Sequence, residues 1–126
     1  MNSFFEPNCS CQGKYLDKML QPAILQILYD EDLHGFMIIK KLSDNAMFNG
    51  MEPDRTGVYR YLRKMETSGL LTARRDEERG KARIIYSITE EGKQCLDNWS
   101  MVLKQYIVSM VSFVKALDDT LQRNRG

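Results

Sequence analysis

Nine basic side chains fall between positions 55 and 83: Arg55, Arg60, Arg63, Lys64, Arg74, Arg75, Arg79, Lys81 and Arg83. Only Glu66, Asp76, Glu77 and Glu78 oppose them, so this segment carries +5 and the rest of the chain −4, on a net charge of +1. Guanidinium and ammonium groups at this density neutralise phosphates, and a basic segment on an acidic body is steered to a polyanion face-first. On a helix over 55–67, Val58, Leu62 and Met65 form the apolar side, and Arg55, Thr56, Tyr59, Arg60, Arg63 and Lys64 fall on or flank the other. A helix fits the DNA major groove and reads base edges with side chains near its N-terminal half. Arg55, Thr56, Tyr59 and Arg60 are therefore the expected readers, with Tyr59 giving its hydroxyl to a phosphate and Arg63 and Lys64 touching backbone. Arg79, Lys81 and Arg83 form a second group suited to phosphate or minor-groove contact.

Other chemistries are poorly provided for. Cys9 and Cys11, with Cys95 and the single histidine, His34, could make a thiol or metal sensor, yet a structural zinc site wants four ligands at recognisable spacing. His34 reads as a helix-start residue with no nucleophile motif beside it. The sequence has no glycine-rich phosphate loop, paired-carboxylate cleft or Ser/His/Asp ordering, so no enzyme, resident cofactor or metal is expected.

The elements that must position the basic residues follow from periodicity. Leu16, Met19, Leu20, Ala23, Ile24, Ile27 and Leu28 paint one face of a first helix, with Pro22 placing its regular start near Gln21. A second helix begins around His34, carries Phe36, Ile39, Leu42 and Ala46 inward, and stops at Asn49-Gly50. Glu52-Pro53-Asp54 opens the third, with Asp54 as N-cap, and Ser68-Gly69 closes it. Leu70–Arg75 and Arg83–Ile88 read as strands flanking a charged turn, Asp76 to Lys81. Three helices followed by such a hairpin predict a winged helix-turn-helix.

Thr89 then caps a long last helix, with Glu90 and Glu91 at the positive end of its dipole. Leu96, Trp99, Leu103, Tyr106, Met110, Phe113 and Leu117 step by three and four along it, a heptad seam. Val102, Ile107, Val111 and Val114 widen the stripe. The seam predicts a two-fold homodimer, in which Trp99, Leu103 and Tyr106 of two subunits could wall a cavity for a small aromatic effector.

His34-Gly35-Phe36, Thr56-Gly57-Val58-Tyr59-Arg60-Tyr61-Leu62, Glu66 to Leu71 and Tyr86-Ser87-Ile88-Thr89-Glu90-Glu91-Gly92 resemble, in order, the PadR family of bacterial transcriptional regulators over roughly residues 20–95. The single C-terminal helix is similar to the smaller of that family's two types. The resemblance implies a dimeric repressor that releases DNA on meeting phenolic acids, drugs or other stress compounds, with Tyr59 as the family tyrosine. The wing tip, Asp76-Glu77-Glu78-Arg79, is more acidic than a phosphate-gripping tip should be, and the Cys9/Cys11 extension is not a general family feature.

The 126 residues are 43% hydrophobic and 28% charged, which suits one folded domain. The expected fold is mainly α with a small β-hairpin: residues 1–15 a flexible extension, 16–88 the winged helix-turn-helix, 89–122 the dimerisation helix and 123–126 a tail. No uninterrupted apolar run of about 18 residues and no basic leader are present, and three cysteines make no disulfide framework, so a cytoplasmic location without a membrane partner is expected. The expected partner is double-stranded DNA with a pseudo-palindromic operator. Two alternatives stay open: a thiol- or metal-sensing regulator using Cys9, Cys11 and Cys95, and a winged-helix protein-interaction adaptor without DNA binding.

Overall fold

The computed structural model describes residues 14–45, 48, 50–78 and 80–125, with the backbone alone at 14–17 and 78. Cys9, Cys11, Ala46, Asn49 and Arg79 lie outside the described residues. The elements are α1 (Lys14–Asp30), β1 (Leu33–His34), α2 (Gly35–Leu42), α3 (Arg55–Thr67), β2 (Leu71–Glu78), β3 (Lys81–Ile88) and α4 (Glu90–Arg125). Two compact units result, Met1–Leu96 and Asp97–Gly126.

α1 is the central helix of the first unit and packs on α2, α3 and β3. Pro22, Ala23, Ile24 and Leu25 are buried in succession, so the helix is enclosed on more than one face. It runs through Pro22 rather than starting near Gln21, and its first residue, Lys14, lies inside the segment expected to be a flexible extension. Proline costs a helix its own amide donor, and here burial of Pro22 among apolar neighbours offsets that loss.

α2 buries Gly35, Ile38, Ile39 and Leu42 and ends at Leu42, earlier than the expected stop at Asn49-Gly50. Phe36, expected inward, is exposed: Ile38 and Ile39 take the core positions and turn position 36 toward solvent.

Asp54 caps α3, its Oδ2 accepting from the Gly57 amide at 3.0 Å. Val58, Leu62 and Met65 are buried, as their spacing predicts. The helix closes in a Schellman arrangement, with the Leu70 amide donating to the Met65 carbonyl at 2.9 Å and the Gly69 amide to Glu66 at 3.0 Å. Gly69 sits at φ 83°, which a β-carbon would strain.

The three strands are ordered β1-β3-β2, all antiparallel. β1 is a strand that periodicity does not reveal, since two residues carry no pattern. The hairpin strands are longer than expected, because Asp76, Glu77 and Glu78 pair in register with Arg83, Ala82 and Lys81 instead of forming a turn. The register sets Asp76 opposite Arg83 and Glu78 opposite Lys81 in the backbone ladder, and the chain leaves the turn through Gly80 at φ 78°.

Thr89 joins α3 to α4. Its hydroxyl donates to the Gly69 carbonyl at 2.6 Å and accepts from the Gly92 amide at 3.0 Å, the expected N-cap. A β-carbon on Gly92 would collide with the Leu70 carbonyl, so glycine is what admits the first turn of α4 here.

In the second unit, α4 is one continuous helix whose apolar side chains from Met101 to Leu121 are largely exposed. A window of α4 with mean hydropathy 1.2 is long and apolar enough, by length and composition, to cross a membrane. Lys104 and Lys115 interrupt this stretch, so it holds no uninterrupted apolar run of about 18 residues.

Candidate nucleic-acid interface

α3 turns its sequence-predicted readers to one side. Arg55, Thr56, Tyr59, Arg60, Arg63 and Lys64 are all exposed, while Val58, Leu62 and Met65 anchor the opposite side in the core. The Asp54 cap and the Schellman closure hold the helix ends, so these six side chains stand on a fixed frame.

Tyr59 is 39% exposed, with one face packed on the first turn of α2. A β-carbon at Gly35 would come within 3.0 Å of Tyr59 Cζ and Oη, and nearer still to Cε1. Only glycine at 35 admits the ring there, and the packing fixes where the hydroxyl stands.

The basic residues divide by what holds them. Arg74 reaches Asp32 at 3.3 Å and Ser87 Oγ at 3.2 Å, Arg75 lies 3.6 Å from Glu77, and Arg55 is 4.0 Å from Glu52, which also takes Lys40 at 3.1 Å. Among the described residues, Arg60, Arg63, Lys64, Lys81 and Arg83 make no salt bridge. These five carry charge with no carboxylate to give up before meeting a phosphate.

A cleft of about 520 Å³ opens between the start of α2, the exposed side of α3 and β3. His34, Phe36, Tyr59, Arg63, Arg83 and Tyr86 are among the residues lining it. Arg83 Nη1 lies 3.1 Å from His34 Nε2. Phe36 stacks on His34 with ring centroids 6.3 Å apart, and Lys40 and Arg55 sit 5.3 and 5.5 Å from the centre of its ring, within cation–π range. Tyr86 is buried, and that burial, with Glu66 nearby, raises its pKa above the ordinary tyrosine value.

Sequence reasoning missed His34, Gly35 and Phe36 as part of this surface. The available signal was the glycine between two rings, which marks a close approach by another group. Of the remaining sequence-predicted residues, Lys81 and Arg83 are exposed on β3. Trp99 and Leu103 are half-buried on α4 and Tyr106 is 56% exposed. Cys95 is half-buried, its Sγ 3.8 Å from Gln21 Oε1, and burial pushes its pKa up. Among the described residues, no group of three or more His, Cys, Asp or Glu side chains could hold a metal ion.

A winged three-helix unit with these dimensions has known relatives, and residues 24–98 match the Transcriptional regulator PadR-like family. The chain belongs to the PadR-like family. Its members are transcriptional regulators and not enzymes. A PadR family regulator of Eggerthella lenta is 28% identical, with TM-score 0.65, covering 82% of this chain and 87% of that one. A PadR family regulator of Clostridium difficile is 23% identical, with TM-score 0.67, over 76% and 98% of the two chains. The PadR protein of Bacillus subtilis, solved with operator DNA, is 25% identical, with TM-score 0.58, over 72% of this chain and 59% of that one. No curated protein matches the chain. This PadR-like chain therefore has the winged helix-turn-helix that its spacing predicts, with a long C-terminal helix.

Proposed function

We propose that this chain is a dimeric, sequence-specific DNA-binding repressor that reads a pseudo-palindromic operator with α3 and grips flanking phosphates with β3. The observation that carries the reading is the division of basic side chains within residues 55–83, because the five described ones there that make no salt bridge all lie on α3 or β3, while Arg74 and Arg75 of β2 are held by carboxylates. The Bacillus subtilis relative was solved with operator DNA, which supports the same use of the fold. Arg55, Thr56, Tyr59 and Arg60 serve as readers, Arg63 and Lys64 as backbone contacts, and Lys81, Arg83 and the wing-tip Arg79 as phosphate or minor-groove contacts. A DNA regulator of this kind works in the bacterial cytoplasm.

The homodimer rests on the α4 seam. Tyr106, Met110, Phe113 and Leu117 are exposed in the single chain, which is more apolar helix surface than a lone monomer leaves to water. Lys104 and Lys115 are eleven residues apart, about three helical turns, so they share a face roughly opposite the seam. A coiled-coil partner satisfies both faces, which a bilayer would not. Leu96, Trp99 and Leu103 extend the seam toward the N-terminal end of α4, and Trp99, Leu103 and Tyr106 of two subunits then wall the pocket of a small aromatic effector that relieves repression. Saturable quenching of Trp99 fluorescence across a panel of planar aromatic compounds tests the pocket. Linear quenching with no plateau for any of them removes it.

The DNA reading is tested by binding to duplex from upstream of the chain's own gene, compared with random duplex of equal length.

A further inference from the structure

The surroundings of His34 are rich in hydrogen-bond donors. Arg83 Nη1 lies 3.1 Å from His34 Nε2, and a guanidinium has hydrogens to give and no lone pair to accept with. Arg63 and Tyr59 line the same cleft. Among the described residues, neither Arg63 nor Arg83 has a carboxylate within salt-bridge distance. The imidazole occupies the N-cap position of α2 yet makes no side-chain capping bond, so it is not spent on the helix beneath it.

The placement follows from topology. β1 pairs with β3 only at Leu33↔Tyr86 and His34↔Ile85, so it ends in the cleft wall at His34 and does not pair with β3 at Arg83 and Ile84. Gly35 then lets the Tyr59 ring lie against the chain at the same point, which sets the phenol hydroxyl beside the cleft. One imidazole, two guanidinium groups and one hydroxyl, drawn from three elements, meet at one opening between the recognition helix and the hairpin.

We propose that this cleft seats a backbone phosphate of bound DNA, and that His34 is a DNA-contacting residue which acts with Arg83, Arg63 and the Tyr59 hydroxyl on that phosphate. The inference rests on the DNA-binding reading and adds a third contact element, the β1–α2 junction, to α3 and the hairpin. A phosphate supplies what the cleft lacks, an anionic acceptor reachable by several donors at once. Such a contact sets register on the duplex and carries no base preference. The apolar wall formed by Phe36, Ile84 and Tyr86 suits the deoxyribose on either side of the phosphate.

Because His34 is the only histidine, its ring gives a single set of imidazole signals in ¹H–¹³C NMR of the full-length protein. Two titrations are run, one with duplex DNA and one with inorganic phosphate, on wild type and on Arg83→Ala. Beside them, the DNA affinity of His34→Gln is measured once circular dichroism shows the fold intact. The proposal expects the His34 signals to move saturably with both ligands, the movement to be much reduced in Arg83→Ala, and His34→Gln to bind both specific and random duplex about tenfold more weakly. DNA binding that leaves the His34 signals in place overturns the proposal even though the protein binds DNA. A shift with phosphate from a protein that binds no duplex overturns the DNA source and the DNA-binding reading together. Should the fold of His34→Gln fail, the wild-type NMR titrations alone decide.

Discussion

Tyr59 and Gly35 are a matched pair: the ring on α3 occupies the space where any β-carbon at position 35 would stand. The contact couples the recognition helix to the first turn of α2. Substituting Gly35→Ala forces the ring or the helix to move, an overpacking that costs about 1–3 kcal/mol. The expected outcome is a folded protein of lowered stability, measured by urea denaturation, in which DNA affinity falls by at least as much as in Tyr59→Phe, which keeps the ring in place.

The frame beneath the readers should fail by size of contact. Leu62 is fully buried beneath the readers, so Leu62→Ala is expected to destabilise by about 2–5 kcal/mol. Asp54→Ala removes one capping bond and should cost about 1 kcal/mol. Thermal denaturation of the two variants side by side checks the ranking, and equal effects would mean that α3 is not held by its Val58, Leu62 and Met65 face.

Much of this architecture is legible in residue spacing. The apolar face of α3, its Asp54 cap, the Ser68-Gly69 stop and the Thr89 cap are all local signals, and local hydrogen bonds realise each of them. What spacing does not show is non-local. Pro22 is accommodated within α1 only because neighbours from other elements surround it, and Phe36 faces out because Ile38 and Ile39 compete for the same core. Asp76 and Glu78 read as turn residues until the register sets them opposite Arg83 and Lys81. The His34 cleft is of the same kind, since it exists only where β1 ends beside β3.

Cys95 tests the thiol-sensor alternative. Burial raises its pKa, so at neutral pH the thiolate, the reactive form, is scarcer than in an ordinary cysteine. With Cys9 and Cys11 replaced by serine, iodoacetamide should modify Cys95 more slowly than free cysteine at pH 7, with the rate climbing only as pH rises above the ordinary thiol range. Mass spectrometry over a time course reads this. Modification faster than free cysteine would restore a sensing role.

Phe113→Asp places a charge in the α4 seam. Sedimentation equilibrium is expected to show a dimer for the unmodified protein and a monomer for the variant, and weaker operator binding should accompany the loss because two half-sites are no longer gripped together. A monomer in both cases would remove the dimer from the proposed function.

In the proposed function, Arg60, Arg63, Lys64, Lys81 and Arg83, the basic residues of α3 and β3 that make no salt bridge, form the phosphate-binding part of the DNA surface. Fluorescence anisotropy on duplex from upstream of the chain's own gene, taken over a salt series, measures it directly for wild type, Arg60→Ala and Arg74→Ala. Affinity is expected to fall steeply with salt, with a log–log slope reduced by about one in Arg60→Ala and a much smaller change in Arg74→Ala, whose guanidinium is already held by Asp32 and Ser87. Binding no tighter than to random duplex, with neither substitution altering the slope, would contradict it and favour a winged-helix adaptor.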